Sequence, residues 1–126
     1  ELVQLFIDSG EIRHADSDEA LQLLISREND ISTGMQRGIA FPHARTNLVK
    51  RMKTVVGIDK SGVDFNSLDK QPTYIFIASL IPADQPEPYL KMMSVMSRFL
   101  SVKENRARII ACQSNRELYQ FFQNLI

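Results

Sequence analysis

The spacing of apolar residues changes several times along the chain, and each change marks an element. After Asp16-Ser17-Asp18-Glu19, the apolar positions Ala20, Leu21, Leu24 and Ile25 recur at helical intervals. Asp16 with Glu19 three residues later has the form of a capping box, which predicts a helix over 17–28. Ser32 to Gly38 holds glycines at 34 and 38 and no period, so it reads as a loop. Ile39-Ala40-Phe41 follows as a short apolar run that Pro42, lacking an N–H, is expected to end, leaving His43 at a strand tip beside a loop.

Thr54 to Asp59 is rich in Val and Ile and reads as a strand, Lys60-Ser61-Gly62 as a turn and Val63-Asp64-Phe65 as the return strand of a hairpin. Thr73 to Ile81 is almost continuously apolar between Pro72 and Pro82, the pattern of a central strand covered on both faces. Tyr89, Met93, Met96 and Leu100 predict a helix over 87–101, entered through Pro86 and Pro88. Asn105 to Cys112 has helical composition, and Ser114 with Glu117 caps a last helix carrying Leu118, Phe121, Phe122 and Leu125. Strands interleaved with helices predict an α/β fold, a single mixed sheet of about five strands flanked by helices on both faces.

Composition narrows the function classes. The 126 residues, 44% hydrophobic, fit one domain. Glu1 opens an apolar-patterned stretch with no initiating Met, as expected of a segment from a longer protein. Fifteen Lys/Arg balance fifteen Asp/Glu, which argues against a general nucleic-acid or anionic-membrane binder. The longest apolar run, Tyr74 to Pro82, is far short of the roughly 20 residues of a spanning helix, and no signal-peptide pattern opens the chain. A soluble domain with no direct membrane insertion is expected. Its one cysteine, Cys112, fits a reducing, cytoplasmic setting.

The candidate chemistry is sparse. His14 precedes a helix and reads as incidental. His43 is the better candidate, since a neutral imidazole at a strand end can act as nucleophile or group acceptor. No second His or cysteine cluster stands at metal-ligand spacing, so no metal is expected. No G-x-S-x-G elbow occurs, and Cys112 reads as a buried thiol within a helix. Phosphate-cradling glycine loops are missing too, and no cofactor is expected. Arg45, Lys50, Arg51 and Lys53 read as a solvated basic face or, around a phosphoryl group on His43, as anion handling. Met92, Met93 and Met96 read as core packing.

The segment Ser32-Thr33-Gly34-Met35-Gln36-Arg37-Gly38-Ile39-Ala40-Phe41-Pro42-His43-Ala44-Arg45-Thr46 resembles the EIIA domains of the fructose/mannitol class of the bacterial phosphoenolpyruvate-dependent sugar phosphotransferase system, the nitrogen-regulatory branch included. The likeness continues through Gly62 to Pro72, Ile81-Pro82-Ala83 and Ser114 to Leu118, covering about Asp16 to the end. The resemblance implies that His43 accepts a phosphoryl group from an HPr-like phosphocarrier protein and passes it to a cysteine of an EIIB domain. It implies that Arg27 positions the phosphoryl oxygens, a role a planar guanidinium suits. It also implies that Ser32 and Thr33 border the site. Most phosphate-carrying members hold a second histidine where Tyr89 falls here, and a tyrosine hydroxyl donates a hydrogen bond without supplying positive charge. The resulting expectation is a phosphoryl carrier built on His43, Arg27 and the altered position Tyr89. The alternative is a non-transport regulatory module fused to a transporter, antiporter or transcriptional regulator.

Overall fold

A computed structural model describes residues 1–8, 10, 12–30 and 37–124. They form two compact units, Glu1–Leu90 and Lys91–Ile126. Among the described residues the elements run α1 (Leu2–Asp8), a 3₁₀ turn (His14–Asp16), α2 (Ser17–Asp30), β1 (Ile39–Ala40), β2 (His43–Thr46), β3 (Lys53–Val63), β4 (Thr73–Pro82), α3 (Glu87–Leu100), α4 (Lys103–Ile110) and α5 (Asn115–Gln123). The fold is mixed α/β, as the pattern predicts.

β4 is the central strand. Apart from Tyr74 all its residues are buried, and β1 and β2 pair parallel with one edge while β3 runs antiparallel along the other. β1 and β2 keep one register against β4: Ile39 faces Ile75, Ala40 faces Phe76 and His43 faces Ser79. Pro42 therefore interrupts the ladder without ending it. It lacks a donor, but its carbonyl still accepts the Ser79 N–H at 2.9 Å. His43 accordingly opens a second strand segment, correcting the expectation of a strand tip beside a loop.

The expected hairpin over 54–65 is also corrected. Lys53–Val63 is one strand, and the Lys60-Ser61-Gly62 signal marks a shift of register between Ile58 and Val63. Gly62 takes φ +83°, and a side chain there would meet the Pro72 Cβ at 2.8 Å, so the turn-like residues bend a strand instead of reversing it. Among the described residues four strands result rather than about five.

One face of the sheet in the first unit is closed by α1 and α2. Val3, Phe6 and Ala20 from the helices pack with Ala44, Ala78 and Leu80 from the strands. α1 approaches β3 so closely that a Cβ on Gly57 would lie 2.9 Å from Leu2 Cδ2. α2 starts where the apolar spacing predicts, yet not through the predicted capping box. The Asp16 carboxylate is taken by the Arg13 guanidinium at 3.0 Å, and the 3₁₀ turn leads straight into the helix.

In the second unit α5 is capped as expected. Ser114 Oγ accepts the Glu117 N–H at 3.1 Å, and the Glu117 carboxylate accepts that of Gln113 at 3.1 Å. Phe121 contacts Phe99, their ring centres 5.7 Å apart, and the Arg108 guanidinium sits 5.0 Å from the Phe121 ring centre. α4 stops at Ile110, so Cys112 lies beyond the helix and is partly exposed, not a buried helical thiol as the composition suggested. Among the described residues no helix is long and apolar enough to cross a membrane.

Candidate functional site

Strand alternation selects the residues of the site. On β2, Ala44 and Thr46 point into the core beneath α1 and α2, so His43 and Arg45 share the opposite face. Register then sets His43 beside Ser79 of β4, and Ser79 beside Thr54 of β3. The Ser79 and Thr54 hydroxyls are 2.8 Å apart, which satisfies Ser79 although that residue is fully buried. A polar row therefore runs across the sheet from His43.

Gly38 fixes the entry to this edge. It takes φ +77°, its carbonyl accepts the Tyr74 and Ile75 N–H groups at 2.8 and 3.0 Å, and a Cβ there would meet Tyr74 Cδ2 at 2.9 Å. The preceding turn is tied down by Asp69, whose carboxylate accepts from Arg37 N–H and Gln71 N–H at 3.0 Å each. These two bonds hold Asp69 below the ordinary carboxylate range, Gln71 contributing most.

His43 is partly buried and held at one nitrogen. Nδ1 lies 2.8 Å from the Phe41 carbonyl oxygen and 3.1 Å from the Tyr89 hydroxyl. A carbonyl oxygen accepts and never donates, so Nδ1 carries the ring proton, leaving Nε2 with its lone pair. Tyr89, in the first turn of α3, is 9% exposed, and its ring centre lies 4.8 Å from that of His43 at an interplanar angle of 32°.

The electrostatics favour a neutral imidazole. Burial is the largest influence and lowers the His43 pKa; the Phe41 carbonyl opposes it, Arg27 and Arg45 lower it further, and Glu28 raises it. Burial pushes Tyr89 up to about 12, with Arg27 pulling the other way. Arg27, in the last turn of α2, therefore acts on both rings. The structure thus brings His43, Arg27, Arg45 and Tyr89 together, whereas Ser32 and Thr33 fall outside the described residues. Sequence reasoning missed the Phe41 carbonyl, for which no residue type gives a signal. It also missed Ser79 and Thr54, although a hydroxyl within the apolar run 73–81 was a visible clue.

A positioned imidazole with a lone pair on Nε2 and cations around it has the chemistry to accept a transferred group, and comparison with known proteins narrows the family. Residues 1–125 match the family model of the phosphoenolpyruvate-dependent sugar phosphotransferase system, EIIA 2. The chain belongs to this family. It is 29% identical over 125 residues to the PTS system fructose-specific EIIA component of Haloferax volcanii, covering 99% of this chain and 80% of that one. It is 34% identical over 102 residues to the nitrogen regulatory protein of Escherichia coli K12, covering 79% of this chain and 61% of that protein. The chain thus spans about three fifths of that relative's length. Among solved structures, the nitrogen regulatory protein IIA-Ntr of Neisseria meningitidis superposes with a TM-score of 0.81 at 24% identity, covering 98% of this chain and 81% of that one. Enzyme IIA-mannitol of E. coli, solved in complex with phosphorylated enzyme IIB-mannitol, gives 0.76 at 16%, covering 98% and 83%. EIIA domains of this family are phosphocarriers, and the mannitol pair shows one joined to its EIIB.

Proposed function

We propose that this domain is a phosphoryl carrier in which Nε2 of His43 accepts phosphate from an HPr-like protein and yields it to a cysteine of an EIIB. The observation that carries the reading is the Phe41 carbonyl 2.8 Å from Nδ1, which commits the ring proton to that side and leaves Nε2 the nucleophile. The Nε2 lone pair attacks phosphorus, the Nε2–P bond forms, and the donor's N–P bond breaks with its electron pair returning to the donor nitrogen. Onward transfer reverses the sense: a cysteine thiolate attacks, the S–P bond forms, and the Nε2–P electron pair returns to His43. Exchange between two phosphoramidates is nearly isoenergetic, so the domain contributes alignment and charge neutralisation. The positive charges of Arg27 and Arg45, both felt at His43, suit an incoming dianion; that Ser32 and Thr33 border the site is carried by the family resemblance alone. The domain would act as one unit, in the cytoplasm, without nucleic acid.

The E. coli nitrogen regulatory protein among the relatives favours a second reading, a regulatory module that accepts phosphate without serving a sugar permease. Both readings require acceptance at His43. Incubation with phosphoenolpyruvate, enzyme I and HPr should add one acid-labile phosphoryl mass to the wild type and none to His43→Ala. Labelling that persists in the variant removes the assignment. Onward transfer to purified EIIB then separates the readings, since a permease component passes phosphate on and a regulatory module retains it.

A further inference from the structure

The same nitrogen of His43 has two oxygen neighbours, and they are not equivalent. The Phe41 carbonyl fixes the proton on Nδ1; the Tyr89 hydroxyl, 3.1 Å away, therefore stands as second acceptor of that N–H, its own proton turned elsewhere. No other hydrogen-bond partner of Tyr89 occurs among the described residues. Tyr89 is buried, and burial pushes its hydroxyl up to about 12, so it is protonated beside the imidazole at neutral pH.

We infer that Tyr89 is a positioning residue whose hydroxyl and ring together hold the His43 imidazole with Nδ1 inward, presenting Nε2 alone to a phosphoryl donor. The two parts restrain different motions. Half-rotation of the imidazole about its Cβ–Cγ axis would put a carbon opposite both oxygens and forfeit both hydrogen bonds. Tilting out of its seat would break the 4.8 Å ring contact. The consequence for phosphoryl transfer rests on the carrier reading, whereas the restraint on the ring does not.

The test is a long-range proton–nitrogen correlation spectrum of the histidine-labelled chain at mildly alkaline pH, where the imidazole is neutral. The wild type should show His43 as the Nδ1–H tautomer; an Nε2–H tautomer there overturns the inference. Tyr89→Phe keeps the ring and removes the hydroxyl, and should move the tautomer ratio about fivefold toward Nε2–H, the factor one neutral hydrogen bond supports. Phosphoryl acceptance should slow by a similar factor, with the unfolding midpoint confirming a folded variant. Unchanged His43 nitrogen shifts in Tyr89→Phe overturn the inference even if the wild type accepts phosphate. A shifted ratio in a protein that accepts none supports the inference and overturns the carrier reading.

Discussion

Removing the His43 side chain should cost stability as well as function. An exposed strand tip would contribute almost nothing to packing, but the structure seats the ring against Tyr89 and gives it hydrogen bonds at 2.8 and 3.1 Å. In His43→Ala the Tyr89 hydroxyl, on a residue only 9% exposed, loses its partner, and the Phe41 carbonyl loses an N–H donor. A buried polar group left unpaired costs about 1–3 kcal/mol, so a loss of about 2 kcal/mol is expected. Tyr89→Phe removes one hydrogen bond and should cost about 1 kcal/mol. The two changes should not add. Once the imidazole is gone, deleting the hydroxyl relieves an unpaired group, so the double variant should fall short of the sum by about 1 kcal/mol. Urea unfolding of the four proteins, compared at constant m, measures that coupling. Additivity to within about 0.3 kcal/mol would refute the described pairing, and an unperturbed His43→Ala would return the residue to the status of an exposed strand tip.

Four further outcomes follow from the same geometry. Because burial, aided by Arg27 and Arg45, holds His43 below its ordinary pKa, acceptance should stay constant as pH falls to about 6.5 and decline only below it; a midpoint at or above that value contradicts the electrostatic picture. The same shift has a definite sign for folding: the unfolded chain takes up the His43 proton first, so this contribution to stability is present above about pH 6.5 and is lost as pH falls through the lower folded value, as unfolding at several pH values would reveal. Gly38→Ala, placed at φ +77° with Tyr74 Cδ2 at 2.9 Å, should lower stability by at least the roughly 1–2 kcal/mol that left-handed backbone costs a residue with Cβ, and a neutral result in thermal unfolding would contradict the described turn. Arg27→Gln should slow phosphoryl acceptance about tenfold or more and raise the His43 midpoint, measured by labelling kinetics and nitrogen titration; no change in either would remove Arg27 from the site.

Much of the fold was legible because local and global signals agreed. The continuous apolar run of β4, the Tyr89-Met93-Met96-Leu100 stripe of α3 and the Ser114/Glu117 cap each correspond to the observed element. The failures arise where one residue had two physical options. Lys60-Ser61-Gly62 carries turn chemistry, but the left-handed Gly62 shifts a register instead of closing a hairpin. Pro42 removes one donor, yet the strand continues because its carbonyl keeps Ser79. Asp16 can cap a helix or pair with Arg13, and the nearby guanidinium takes it. At the site, side-chain identity and family likeness pointed to His43, Arg27, Arg45 and Tyr89. What residue letters did not carry was the arrangement about Nδ1: a backbone carbonyl has no signature, and the contact between Tyr89 and His43 joins positions 46 residues apart.

The central claim is that phosphate resides on Nε2 of His43. It is tested most directly by phosphorylating the histidine-labelled domain through enzyme I and HPr and locating the phosphorus coupling by nitrogen NMR. The expected spectrum shows one phosphohistidine, at residue 43, with phosphorus coupled to Nε2 and the proton on Nδ1. Phosphate on Nδ1, on His14, or on no histidine would contradict the account.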